Sequence, residues 1–227
     1  MKRTTFHALA GLAAMAAMAS GAYATPIDPS PTLTVGGLTF SDFTTSITGE
    51  GNYSPTMASS VAVNTLTVGD PGIQFTGNFD AFGSGSSGDF ALAYTVTDSG
   101  SMIDDVFLGL GGATLVGSGA NVTVTECAYS DAAHTHLLGG NCLSVYDPPP
   151  TLTATLNLGG DYSTIYITKD ISYNAGSCTS SCNAALSIID QRFSTVPEPG
   201  TLALFGAGLL GCALFVGRRR RSEQTRA

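Results

Sequence analysis

His134-Thr135-His136 is the sharpest candidate for chemistry in the chain. Alternation along a strand would turn both imidazoles to one face, and Asp131, Cys127 and Cys142 stand close in sequence, so the donors of a transition-metal site are present. If Cys127 and Cys142 pair with each other, the thiolates vanish, and the two histidines are then expected as exposed loop residues. No metal is assigned. Asp104-Asp105 and the aspartates of the Gly-rich segments offer oxygen ligands suited to Ca²⁺, but no EF-hand and no Gly-Asp repeat occurs, and ordinary turn chemistry is expected there. Gly83, Gly85, Gly88 and Gly206, Gly208, Gly211 both have G-x-G-x-x-G spacing. The first set is expected in a Gly-Ser loop and the second lies in an apolar span, so neither opens a soluble helix after a strand, as a dinucleotide site requires. No G-x-S-x-G elbow occurs, and with His7 in an N-terminal targeting segment only His134 and His136 could serve as bases. No catalytic residue and no cofactor is assigned, and the chain is expected not to be an enzyme.

The elements that must position these residues read as strands. Strand-like runs occur at 33–40, 61–68, 73–79, 90–97, 102–108, 121–129, 152–158, 164–173 and 184–193. Val122 and Val124, and Leu152, Ala154 and Leu156, alternate with the period of half-buried strands. Ile165, Ile167 and Ile171 share a face interrupted by Lys169, which is expected to mark a bulge or a strand end. Gly69-Asp70-Pro71-Gly72 suits a reverse turn, and Asp98-Ser99-Gly100-Ser101 suits a hairpin. Asp147 followed by Pro148, Pro149 and Pro150 reads as an extended crossover. These features predict an all-β fold, an antiparallel sandwich or jelly roll of about nine or ten strands.

Charge and cysteine usage bound the function. The 227 residues carry a formal net charge of -8. Between Thr25 and Pro199 there are sixteen Asp and Glu against Lys169 and Arg192 alone. Such a surface repels phosphate backbones, so nucleic acid is excluded as a partner. A soluble, solvated surface is the expected role of the charge. Cys212 falls in the apolar C-terminal span, leaving Cys127, Cys142, Cys178 and Cys182. In an oxidising compartment these make two disulfides in one of three connectivities, of which Cys127 with Cys142 and Cys178 with Cys182 is the most local.

The two ends are targeting segments. Lys2 and Arg3, an apolar run over residues 6–18, and Ser20-Gly21-Ala22-Tyr23-Ala24 have the order of a secretory signal peptide over residues 1–24. The translocon and signal peptidase are the implied partners, with Ala22 and Ala24 filling the small subsites and cleavage before Thr25. Residues 201–217 are uncharged and, as a helix, span about 26 Å, near the lower limit for a transmembrane helix. Arg218, Arg219, Arg220 and Arg221 follow at once and hold that end in the cytoplasm. The exported domain, residues 25–195, must then lie outside the membrane.

Val196-Pro197-Glu198-Pro199, the span and the arginine cluster together resemble the PEP-CTERM sorting domain, also catalogued as the ice-binding protein C-terminal domain. The resemblance covers residues 196–221 and implies that exosortase, an integral membrane enzyme often encoded with exopolysaccharide genes, recognises and cleaves the tail of residues 196–227. Pro197 and Pro199 hold the recognition peptide extended, and Glu198 supplies a charge for the enzyme to pair. The stretches 75–82, 89–97, Lys169-Asp170-Ile171 and Arg192-Phe193 are loosely similar to parts of other such substrates and name no activity. The expected product is an exported cell-envelope or extracellular-matrix protein, transiently anchored and then at the surface or released, with a structural role associated with surface polysaccharide. The alternative is a carbohydrate-binding or adhesive module, in which the eight tyrosines replace the absent tryptophan. No flat Thr-x-Thr array suggestive of ice binding occurs.

Overall fold

A computed structural model describes residues 24–179 and 181–197. The residues expected to form a signal peptide, through Tyr23 and including Ala22, lie outside the described residues, as do Glu198, Pro199, the span 201–217 and Arg218, Arg219, Arg220 and Arg221. Among the described residues no helix is long and apolar enough to cross a membrane.

Twelve strands follow one another: β1 (Thr25–Pro26), β2 (Leu33–Val35), β3 (Leu38–Ser54), β4 (Ala62–Leu66), β5 (Gly72–Asp98), β6 (Ser101–Gly111), β7 (Thr114–Val116), β8 (Asn121–Tyr129), β9 (Leu143–Asp147), β10 (Thr153–Tyr162), β11 (Thr164–Asn174) and β12 (Asn183–Pro197). Every pairing is antiparallel. The first half of β5 lies between β12 and β4, in a layer ordered β10-β6-β12-β5-β4-β1. Its second half lies between β11 and β3, in a layer ordered β9-β8-β11-β5-β3. The layers face each other where β11 and β8 pack on β12, and β9 on β6 and β10. This is an all-β sandwich, as the alternation predicts.

The corner between layers is made by the residues expected to form a loop. Gly83 through Gly88 stay within β5, and Gly83 and Gly85 adopt φ of 94° and 77°, open only to glycine at low cost. Opposite them, β3 slips register between Glu50 and Asn52, with Gly51 at φ 69°. The Ser86 hydroxyl donates to the Phe82 carbonyl at 2.8 Å and accepts the Asn52 N–H at 3.1 Å, tying the two bends together. The backbone therefore turns the corner without giving up its pairing: the Gly83 N–H still donates to the Cys182 carbonyl and that of Gly85 to Gly176.

Four further expectations are corrected. Lys169 marks neither a bulge nor an end, since β11 keeps register with β5 and β8 on both sides of it. Asp98-Ser99-Gly100-Ser101 is a turn, with Asp98 Oδ1 accepting the Gly100 and Ser101 N–H groups. It is no hairpin, because β6 leaves β5 and pairs with β12 and β10 in the other layer. Asp147 to Thr151 is a tight turn closed by two backbone hydrogen bonds between Tyr146 and Thr151, and only its role as a crossover between layers stands. Asp104 and Asp105 are mid-strand residues of β6, where Asp105 Oδ1 accepts the Ser194 N–H at 3.3 Å. The turn over Gly69 to Gly72 connects β4 and β5 as expected.

Core side chains follow the period of two. In β8 the pattern buries Val122, Val124, Glu126 and Ala128; in β11 it buries Ile165, Ile167, Lys169, Ile171 and Tyr173. Phe40, Phe43, Phe75, Tyr94 and Phe193 form one aromatic cluster, and Phe79, Phe90 and Tyr173 another.

Candidate functional site

The outward positions of the second layer are mostly short side chains. Where β11 buries Lys169 it turns Thr168 and Asp170 outward; where β5 buries Leu92 it presents Ala91 and Ala93; β8 presents Thr125 and Cys127 around Glu126. Small residues flanked by longer ones leave a concavity, and an open groove of about 530 Å³ lies over them, bordered by Thr44, Ser46 and His134. Tyr129 and Tyr166 are cross-strand partners on this outward face. Asp89 stands near Asp170. Burial, then the charge of Asp170 and a hydrogen bond between the two side chains, raise the Asp89 carboxyl to about 6. Asp89 therefore keeps its proton into mildly acidic pH.

His134 reaches the groove through a loop held at both ends. A disulfide joins Cys127 to Cys142, and the Leu138 N–H donates to the Ala128 carbonyl at 2.8 Å. Asp131 organises the turn, accepting the His136 N–H at 2.7 Å, the Thr135 N–H at 3.1 Å and the Thr135 hydroxyl at 2.9 Å. Slight desolvation acts against ionisation, but the hydrogen bonds from His136 and Thr135 prevail and bring this carboxyl to about 2. His134 takes a left-handed φ of 55° and packs its ring 5.1 Å from that of Tyr129. His136 lies 3.2 Å from Asp131, its side chain 77% exposed. The two imidazoles therefore serve a loop and not a strand face. Among the described residues no group of three or more His, Cys, Asp or Glu is placed to hold a metal ion.

A second disulfide joins Cys178 to Cys182. Ala24 is exposed and Thr25 opens β1. At the other end β12 runs through the start of the sorting segment, with Val196 opposite Met102 and Pro197 opposite Ser101. Arg192 is spent on the fold, its guanidinium donating to the Asp70 carbonyl at 3.0 Å and securing the β4–β5 turn.

The most unusual chemistry is inside the sandwich. Lys169 and Glu126 are direct cross-strand partners, both pointing inward and both buried, and their side chains form an ion pair. From the facing layer Gln191, also buried, offers its Oε1 to Lys169 Nζ at 2.8 Å and donates Nε2 to the Phe107 carbonyl at 3.1 Å. Burial presses Lys169 down and Glu126 up, each opposed by the other's charge, so both are driven toward their neutral forms. Glu126 Oε1 and the nearby Tyr94 hydroxyl have no hydrogen-bond partner. Sequence reasoning missed this triad. Its signal was an inward Lys and an inward Glu, each interrupting a run of apolar residues spaced by two.

Residues 195–221 match the family described as the PEP-CTERM protein-sorting motif. The chain thus ends in a PEP-CTERM sorting motif, which implies exosortase as processing partner and export to the cell surface or beyond. No curated protein matches the chain. Similar solved structures include a carbohydrate-binding module in complex with β-1,4-galactotriose, at 14% identity and TM-score 0.32, covering 66% of this chain and 88% of that one. Another is a study of carbohydrate-binding modules of the β-sandwich superfamily, at 12% identity and TM-score 0.28, covering 78% and 62%. A third is a family two carbohydrate esterase from Cellvibrio japonicus, at 9% identity and TM-score 0.23, covering 70% and 36%.

Proposed function

We propose that the chain is a non-enzymatic cell-envelope or extracellular-matrix protein, cut by exosortase at its PEP-CTERM tail and then released or joined to surface polysaccharide. The observation that carries this reading is the sorting motif at residues 195–221, which begins within the last strand of the sandwich. With no spacer between them, the folded domain reaches the enzyme already held beside the membrane. Val196 and Pro197 belong to the β12–β6 ladder, so a cut beyond Pro197 leaves the sheet whole. Two disulfides and a well-filled core suit a protein living outside the cell. The test is the intact mass of the protein from cells with and without exosortase. Loss of the tail only when the enzyme is present is the expected result; an intact peptide from Glu198 through Arg221 in the surface or secreted form refutes it.

A second reading is glycan binding in the groove. The observation favouring it is a concave face that combines Thr125, Thr168 and Ser46 hydroxyls with Asp170, beside Tyr129 and Tyr166. Hydroxyls and carboxylates match sugar hydroxyls, and tyrosine rings match their apolar faces. Polysaccharide binding that Tyr166→Ala or Asp170→Ala weakens about tenfold, or ~1.4 kcal/mol, supports this reading. Binding unchanged by both substitutions removes the groove as its site.

A further inference from the structure

The buried triad has the composition of a reaction centre: an amine, a primary amide and a carboxyl group. We infer that Lys169 and Gln191 become joined by an intramolecular isopeptide bond, formed by the folded protein itself with Glu126 as the proton shuttle. The bond links β11 to β12 and so ties the two layers of the sandwich covalently. It is independent of the groove and of tail processing.

Three observations carry the inference. Lys169 is the sole lysine after residue 2, and it stands in the core of an exported domain whose remaining basic residue is Arg192. An amine is costly to bury, and an acidic surface has ample room for one outside. The reacting groups are also in place. Lys169 Nζ rests 2.8 Å from Gln191 Oε1, one carbonyl bond from the carbon it would attack, while Gln191 Nε2 is held by the Phe107 carbonyl. Groups fixed this way in a dry site react with effective concentrations of about 10⁵–10⁸ M when their alignment is good. Finally, Glu126 contacts Nζ through Oε2, and its Oε1 has no hydrogen-bond partner. A carboxyl group in that position can accept a proton on one oxygen while giving one from the other.

Burial shifts Lys169 and Glu126 toward the protonation states that the reaction uses. A neutral amine has the free electron pair that an ammonium lacks, and a neutral carboxyl group can donate. The Nζ lone pair forms a bond to Gln191 Cδ, and the carbonyl electrons move onto Oε1. A proton from Nζ passes to Glu126 and Glu126 gives one to Nε2, after which the Cδ–Nε2 bond breaks and ammonia leaves. An amine and a primary amide have become a secondary amide and ammonia. Glu126 ends as it began, and no oxidant, reductant or cofactor enters. The product amide cannot be protonated at ordinary pH, so the reaction also removes an ionisable amine from the core.

The test is the denatured mass of the purified secreted protein with its disulfides formed. The expected mass is lighter by one ammonia than the processed sequence, with Lys169 and Gln191 recovered in one branched peptide. An amine-specific reagent applied after denaturation should then label the amino terminus alone. Glu126→Ala should keep the ammonia and expose Lys169 to the reagent, and Gln191→Met should do the same without touching the carboxyl group. Full mass with a reactive Lys169 in the folded wild type overturns the inference, whether or not either variant folds. Loss of water with a branched peptide joining Lys169 to Glu126 overturns it too, because the acyl donor is then a different residue. Failure of tail processing leaves this measurement readable, since the mass deficit lies within residues 25–197.

Discussion

Replacing Cys127 and Cys142 together by alanine removes a link between residues 15 apart in sequence, and its cost follows from the loop it closes. In the chain-entropy account a loop of that length restricts the unfolded chain by about 3 kcal/mol. The folded loop has other anchors. Asp131 holds the Thr135 and His136 N–H groups, Leu138 is buried, and its N–H donates to Ala128. The native spectrum should therefore persist while the unfolded state gains freedom. With a urea slope of roughly 2 kcal/mol/M for a domain of this size, the midpoint should fall by about 1.5 M. The melting temperature should fall by about 6–12 °C. Urea unfolding of the oxidised wild type and the double variant, followed by far-UV and near-UV circular dichroism, measures both quantities. A loss below about 1 kcal/mol would show that the loop is already restrained when unfolded. Loss of native near-UV signal would show that the disulfide holds the folded loop together, and either result refutes the reasoning.

Gly88→Ala should destabilise by about 1–3 kcal/mol in the same assay, because its new methyl group meets the ring of buried Tyr173. Ser86→Ala should cost about 1–2 kcal/mol, since the Asn52 N–H and the Phe82 carbonyl lose their shared partner at the corner. Asp89 titrates near 6 when folded, above its ordinary 3.8, so the folded state holds the extra proton between those values. Its contribution is complete below about pH 4 and is lost as the pH rises through 6; after solvent screening it should amount to less than about 1 kcal/mol. Melts from pH 4 to 7 should therefore fall more steeply for the wild type than for Asp89→Asn, and parallel curves would exclude the effect.

The strands, the all-β class and the sorting tail were legible residue by residue because each rests on local pattern. Alternation is a property of neighbours two apart, and a sorting peptide is read by its enzyme as a linear segment. Even the most local of the three cysteine pairings is the one the structure adopts. The rest depended on partners distant in the chain. Whether a Gly-Ser run is a loop or a paired corner was decided by β3 bending beside it at Gly51. Whether Asp98 to Ser101 joins a hairpin or changes layers was decided by which strand β6 found to pair with. Lys169 reads in isolation as a defect in an isoleucine stripe. Only the sandwich brings Glu126 from 43 residues away and Gln191 from 22 residues away to meet it, and burial then makes those two side chains its hydrogen-bond partners in place of water.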